Sequence, residues 1–407
     1  MSVQDFSALN KVVFGDAPPT LIPDLAVIQK DIAFEAGNKL GDSFEQPVRL
    51  ALPSGFTRAL GNGTAGGFTL NGSRAGTQKK AVVYGTQLVL QERVAYEDLS
   101  KASSQGQQAY KAAMGFMWEG MQLAMRKQLE IMCLYGNVGI AKVGTYTSGT
   151  PSITIGAADF APQIWGGMEG ALVEVMNGTS STVRDTAVSI LSVDLDTRIV
   201  TLSGTVSGAG ANDIVYFKGG FGKEMSGLAA MAANTGTLFG ISATTYNNWK
   251  WATHSVGGAM SFQALKKGLA KAVNKGCAYP ICVYLSTGAV DDLIGDIHQL
   301  RTVTKEEVSR IELGADEVEY NFAGVKAHIK AHPMVKNGHG LGIVKQFAKR
   351  VGAMDVGFGM PGRTDGRVFF DLETAAAIEA RMYTHQAIFS EMPGVNLEFT
   401  SITNRTT

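Results

Sequence analysis

The sequence predicts an α+β chain built from several pieces, with a small all-β module inserted among them and two extensions that lack a core of their own. Three observations carry this. An apolar stripe of helical period runs through residues 104–136, a stretch rich in Thr, Ser, Val, Gly and Asp fills 144–222, and prolines and glycines break up the N-terminal part. At 407 residues the chain exceeds the usual domain of roughly 100–200 residues, so two or three cores fit within it.

Residues 1–40 contain Pro18, Pro19 and Pro23, followed by the short amphipathic run 25–34. Proline removes an amide donor and clashes with the preceding turn, so an extended arm with one brief helical element is expected. Such an arm needs another surface to lie on. Strands are expected at 46–52 and 81–94, forming a long hairpin whose tip, 61–76, holds two glycine-rich runs. An isolated two-stranded hairpin is marginal in water, so its tip is expected to order only against a neighbour.

Within 104–136, Tyr110, Met114, Met117, Met121, Met125 and Met132 recur at steps of three, four or seven, which places them on one helical face. Some 30 residues at ~1.5 Å each give a helix of roughly 45 Å. Gly136-Asn137 ends it as a C-terminal cap would. Core packing is the ordinary use of a methionine stripe, and a promiscuous binding groove the rarer one.

The β-rich stretch reads as short strands at 152–155, 171–176, 187–194, 198–203 and 213–217, with Asp194-Leu195-Asp196-Thr197 as a turn. After it, Ser261 is placed to cap a helix, 279–285 reads as a buried strand, and Thr287 is expected to cap a second helix carrying Val290, Leu293, Ile294, Ile297 and Leu300 on one face. Strands at 317–322, 325–331, 368–372 and 376–389 follow. In the last, Ile378, Ala380 and Met382 alternate with Glu379, Arg381 and Tyr383, as in a half-exposed sheet.

Charged residues make up 18% of the chain against a typical 25%, and Lys plus Arg equals Asp plus Glu at 36 each. No net field therefore draws the chain to nucleic acid or holds copies apart. Cys133, Cys277 and Cys282 are odd in number and form no Cys-x-x-Cys pair, which argues against a disulfide framework or a zinc knuckle. No apolar run approaches the roughly 18 residues that span a bilayer, and the first residues have no leader pattern. A soluble protein made in a reducing cytoplasm is expected, in which the Asn-x-Ser/Thr matches at Asn62, Asn71, Asn177 and Asn404 carry no sugar.

Motifs for chemistry are weak. Residues 61–66 and 357–362 formally match a dinucleotide fingerprint, but the first runs on into Asn71-Gly72, the second contains Pro361, and 49 glycines make chance matches expected. Gly219-Gly220-Phe221-Gly222-Lys223-Glu224 is phosphate-loop-like, yet Glu224 stands where a hydroxyl is needed; a turn leaving the β module explains it better. His328 and His332 have zinc-site spacing on a strand, with His339 as a third candidate, but surface or interface histidines are the favoured reading. Asp291-Asp292 reads as first-turn acid complementing a helix dipole. Arg126 and Lys127 on the long helix can face DNA, although solvated helix charges are the simpler account. No nucleophile constellation is found, so no catalytic, cofactor or metal residue is assigned and no enzyme is expected.

The segment from Glu224-Met225-Ser226-Gly227-Leu228 through Thr235-Gly236 and Gly240-Ile241 to Tyr246-Asn247-Asn248-Trp249 resembles a stretch of many tailed-phage major capsid proteins: a Gly-Leu helix, a Thr-Gly turn, a Gly-Ile step and a Tyr-x-x-Trp ending. Tyr284-Leu285-Ser286-Thr287-Gly288-Ala289 and Met392-Pro393-Gly394-Val395 are similar but generic, and the order of elements resembles the family over essentially the whole chain. The resemblance implies the Hong Kong 97-type fold: an N-terminal arm (1–40), an extended hairpin loop (41–98), a peripheral domain with a long spine helix (99–145, 226–257 and 366–407), a β-rich insertion (146–225) and an axial domain (258–365). It implies self-assembly into pentamers and hexamers of an icosahedral shell around double-stranded DNA, which is held by non-specific contact. It also implies a separate scaffolding protein, a portal protein and a decoration protein as partners, no cofactor, and no membrane. Lys79 and Lys80 lie near a loop that some relatives crosslink, but no matching Asn or catalytic acid is present, so that chemistry is not carried over. The alternatives are an encapsulin-like nanocompartment shell, an α/β cofactor-binding enzyme and a phage tail or adhesion protein.

Overall fold

A computed structural model of the chain describes residues 25–35, 43–59, 68–97, 100, 107–303, 317–358, 368–372 and 375–405. Residues 61–67 of the expected hairpin tip, and so the first glycine-rich match, lie outside them, as do most of the arm and all but Gly357 and Phe358 of the second match.

The first elements among the described residues are a short helix, α1 (Val27–Asp31), and three strands, β1 (Phe44–Ala51), β2 (Thr77–Val83) and β3 (Thr86–Ala95). The long helix α2 (Gln107–Tyr135) leads into β4 (Ala141–Tyr146), β5 (Ser152–Ile155), the single turn α3 (Pro162–Trp165), β6 (Leu172–Met176), β7 (Val183–Asp194), β8 (Ile199–Leu202) and β9 (Ile214–Phe217). Next come α4 (Leu228–Ala232), the two-residue strands β10 (Thr237–Leu238) and β11 (Ile241–Ser242), β12 (Ala252–Gly258), α5 (Phe262–Asn274), β13 (Ile281–Leu285) and α6 (Thr287–Val303). The rest is strand: β14 (Glu317–Phe322), β15 (Val325–Ala331), β16 (Gly340–Ile343), β17 (Ala348–Phe358), β18 (Phe369–Asp371), β19 (Ala377–Ser390) and β20 (Leu397–Ile402).

These elements build three bodies. A six-stranded mixed sheet, β12-β20-β16-β13-β15-β14, packs against α5 and α6, and every residue of its central strand β13 is buried. Ser261 caps α5 by accepting the Ala264 amide at 3.2 Å. A second sheet centres on β19, paired along one edge with β3 and along the other with β17 and β18 end to end. The insertion between α2 and α4 is a closed barrel, β4-β5-β8-β7-β6-β9, filled by Val143, Ile153, Val173, Val175, Ile190, Val200 and Val215. Closure satisfies every edge, which lets a module with few apolar residues per strand stand as a unit.

Four expectations need correction. The run 81–94 is two strands: β2 pairs with β1, the chain breaks at Tyr84-Gly85, and β3 leaves the hairpin for β19. Ser286, not Thr287, caps α6, its hydroxyl accepting the Ala289 amide at 3.3 Å. Asp291 and Asp292 fall past the first turn of α6, and Asp292 is buried, accepting the Arg405 amide at 3.1 Å. Finally, β19 alternates as expected from Ala380 to Gln386, with Arg381, Tyr383 and His385 on the more exposed face, but Glu379, expected on that same face, is buried and accepts from Arg93 and Arg381.

Candidate assembly interface

Residues 25–35, the part of the arm among the described residues, find the surface they need on their own chain. A five-residue helix is far below the length that is stable alone, so α1 depends on remote groups at both ends. At its N-terminus the Glu130 carboxylate of α2 accepts the amides of Ile28 (2.5 Å) and Gln29 (3.1 Å) and the Gln29 side chain (3.1 Å). At its C-terminal end Arg350 donates to the carbonyls of Gln29 (3.1 Å) and Ile32 (3.3 Å). Asp31 accepts the Tyr284 hydroxyl at 2.5 Å and pairs with Lys345 at 2.8 Å, and these partners hold its carboxyl below the usual range against the opposing pull of burial. Anion at the N-terminus and cation at the C-terminus also complement the helix dipole.

His332, expected at a surface, is fully buried in this clamp. Its Nδ1 accepts the Met334 amide at 3.2 Å, so the ring proton sits on Nε2 and is donated to Glu130 at 3.0 Å. His328 pairs with Glu319 and His339 with Glu398, which separates the three histidines. No group of three or more possible metal ligands occurs among the described residues.

The other weak motifs resolve into packing. The amides of Gly219 (3.2 Å) and Phe221 (2.9 Å) are taken by the Glu174 carboxylate, which fills the place an anionic ligand would need. Glu224, pushed up by burial, accepts the Asn137 amide. Lys127 is buried and donates to the Gly166 carbonyl, and its burial lowers its pKa to about 8, so only Arg126 of the two basic residues is exposed.

The segment that carries the family resemblance has a definite local task. Gly227 lies against the end of α2, where a Cβ would stand 2.7 Å from the Gly136 nitrogen. Phe239 and Gly240 take left-handed backbone in the β10–β11 turn, and the buried Trp249 indole donates to the Leu238 carbonyl at 3.0 Å. Phe239 in turn accepts the Val82 amide at 3.0 Å, fastening the base of the hairpin to the body.

Beyond that base the hairpin projects. Alternation along β1 turns Phe44, Val48 and Leu50 inward, and Lys80 pairs with Glu45 at 2.7 Å on the outer face. Toward the tip Leu52, Phe56, Phe68 and Leu70 are 57–74% exposed, held only by local bonds such as Asn71 to Thr57 at 2.7 Å. Four large apolar side chains on a projection without a core mark a contact surface, since single-chain proteins rarely leave such clusters to water.

The methionine stripe faces the β19 sheet. Met117, Met121 and Met125 pack on Val94, Ala380 and Met382, with Trp118 stacked near Phe358 at 4.0 Å. Leu88, Leu90 and Val94 on the β3 face toward α2 share that face with Glu92, which stands opposite Ala380. Burial raises the Glu92 carboxyl to about 7. The folded state then keeps a proton that the unfolded chain releases at its ordinary value near 4.5, so stability falls as pH rises from about 4.5 through 7. Glu92→Gln is expected to stabilise the chain at pH 8 by ~1–2 kcal/mol, because Glu92 is only half-buried and water screens part of the effect, and to change little at pH 5. Urea denaturation at the two pH values checks this, and equal effects at both would contradict it.

The mixed helix-and-sheet fold is shared with a solved phage capsid chain and is consistent with the Hong Kong 97 type. A chain of the cyanophage A-1(L) capsid asymmetric unit shares it with a TM-score of 0.55 at 12% identity, covering 97% of each chain. Chains from the capsid of a native GTA particle (TM-score 0.49, 7% identity, 97% and 95% covered) and from the capsid of Myoviridae phage XM1 (TM-score 0.47, 8% identity, 98% and 99% covered) are also similar. No protein-family model and no curated protein sequence matches the chain.

Proposed function

We propose that this chain is the major capsid protein of a tailed phage, the repeated subunit of an icosahedral shell. The observation that carries the reading is the fold shared with the cyanophage capsid chain over 97% of both lengths. The exposed apolar hairpin supports it, because a surface of this kind is stable only once a partner covers it.

On this reading residues 1–40 are the arm, 41–98 the extended loop, 99–145, 226–257 and 366–407 the peripheral domain, 146–225 the insertion and 258–365 the axial domain. Copies meet through heterologous contacts that close into rings of five and six, and the rings close a shell. Each contact is weak, and the high effective concentration inside a growing ring makes the next one cooperative. The chain performs no catalysis in this role. Its partners are sister copies, a separate scaffolding protein, a portal protein, a decoration protein and packaged double-stranded DNA, the last met without sequence preference through basic side chains such as Arg126. The shell assembles in the host bacterial cytoplasm and persists in the virion. Among the described residues no helix is long and apolar enough to cross a membrane.

Negative-stain microscopy of the expressed chain, with and without a candidate scaffold, tests the proposal. Closed particles of uniform diameter are expected, and a sample that stays monomeric in both preparations would overturn it.

A further inference from the structure

Although the whole chain is neutral, its charge is segregated. The hairpin, residues 43–84, carries Arg49, Arg58, Arg74, Lys79 and Lys80 against Glu45 alone, a net charge of +4. The barrel, residues 141–217, carries seven acidic and three basic residues, a net charge of −4. Two opposite charges of equal size thus sit on the projecting loop and on the inserted module.

The apolar surfaces match as the charges do. At the β7–β8 turn the barrel exposes Leu191 (58%), Leu195 (39%) and Ile199 (37%) beside Asp194 and Asp196. The turn is rigid, because the Asp194 carboxylate accepts the amides of Asp196 (3.0 Å) and Thr197 (3.1 Å), leaving the Asp196 side chain free to face outward. Arg198, the one cation of the turn, is half-buried with left-handed backbone (φ 61°). The described hairpin residues expose Leu52, Phe56, Phe68 and Leu70 beside Arg58 and Arg74. Each surface therefore sets exposed apolar side chains beside charge, with opposite signs on the two, as complementary interfaces are built.

Among the described residues no hydrogen bond, ion pair or ring contact joins the hairpin to the barrel; beyond their own pairing, the hairpin strands touch β11, Phe389 and Tyr246. From Phe44 to Phe56, β1 and the five residues beyond it reach at most roughly 40 Å at ~3.3 Å per residue, far enough to pass onto another molecule.

We infer that the hairpin of one copy docks, through Leu52, Phe56, Phe68 and Leu70, on the β7–β8 corner of the barrel of an adjoining copy, Arg58 and Arg74 facing Asp194 and Asp196 around a shared apolar patch. The inference rests on the shell reading and adds the partner surface of the hairpin to it. The contact is heterologous, so it propagates around a ring instead of closing a pair. Because the charges lie at an exposed rim, its contribution weakens with salt, the screening length falling to about 10 Å at 0.1 M.

A charge swap in the full chain tests the contact. Asp196→Lys leaves the turn intact, since its side chain takes no part in it, and Arg58→Glu alters an exposed tip residue. Each single variant is expected to raise the concentration needed for shell formation roughly tenfold at low salt, with a smaller effect in 0.5 M NaCl, and the double variant to restore it to within about threefold of the parent. Zero-length carbodiimide coupling of an Arg58→Lys variant, mixed from isotopically light and heavy chains, is expected to give an inter-chain link to Asp194 or Asp196. If the parent forms shells but the singles match it, or the double is no better than the worse single, the docking is overturned while the shell reading stands. If the parent forms no shell, both fall.

Discussion

Replacing Glu130 with alanine is expected to cost the folded chain about 3–5 kcal/mol, because one acceptor serves several donors at roughly 1–3 kcal/mol for each that is left buried and unmet. Glu130 and His332 are fully buried, and one carboxylate accepts from the His332 ring, two α1 amides and the Gln29 side chain. Truncation strands the buried Ile28 amide and the His332 ring donor away from water, each costing roughly 1–3 kcal/mol, and removes the acceptor of the part-buried Gln29 groups. Because α1 is too short to persist unaided, the loss also releases residues 25–35 from α2 and from Arg350. Chemical denaturation with a probe in this region checks both effects. Glu130→Gln preserves the shape and two acceptor positions and is expected to lose about half as much, in keeping with the greater strength of hydrogen bonds to a charged acceptor. Equal stability of the parent and the alanine variant would mean that the arm does not depend on this clamp.

Removing residues 53–75 and joining β1 to β2 through a two-residue turn is expected to leave the fold near parental stability, since the four large apolar side chains lost with or beside this segment touch little of their own chain. Particle formation is expected to fall on the order of 100-fold, because losing one weak contact from every repeated unit removes the avidity that links them. Sedimentation of the assembled fraction, set beside a thermal melt of the dissociated subunit, separates the two quantities. Undiminished shells would show that the hairpin contributes nothing to assembly.

What the sequence revealed depended on how far apart the cooperating residues lie. The methionine stripe of α2, the Ser261 cap and the uninterrupted apolar run of β13 are local patterns, and each element formed where its pattern stood. Strands rich in glycine or carrying few branched residues were not legible: β4 with Lys142 and Gly144, β12 ending in Gly257-Gly258, and β16 with Gly340 and Gly342 owe their place to the sheet neighbours that pair with them. The break at Tyr84-Gly85 was hidden because the strand-forming residues on either side read as one run. The Glu130–His332 pair joins residues 202 positions apart. Its one local signal was an acid inside the apolar run Leu129-Glu130-Ile131-Met132-Cys133-Leu134-Tyr135, a residue type that enters a core only with a partner. The hairpin was recognisable as a projection from its glycines, whereas its fastening through Phe239 and Val82 required the β10–β11 turn to be seen in place.

Amide hydrogen exchange, read separately for unassembled subunits and closed particles, distinguishes a hairpin that orders against a sister copy from one already ordered on its own chain. Residues 53–59 and 68–76 are predicted to exchange as open chain in the subunit and to gain protection of at least about 100-fold in the particle, while β13 and the α1 clamp stay protected in both. Protection of the hairpin tip already complete in the lone subunit, and unchanged on assembly, would contradict the account.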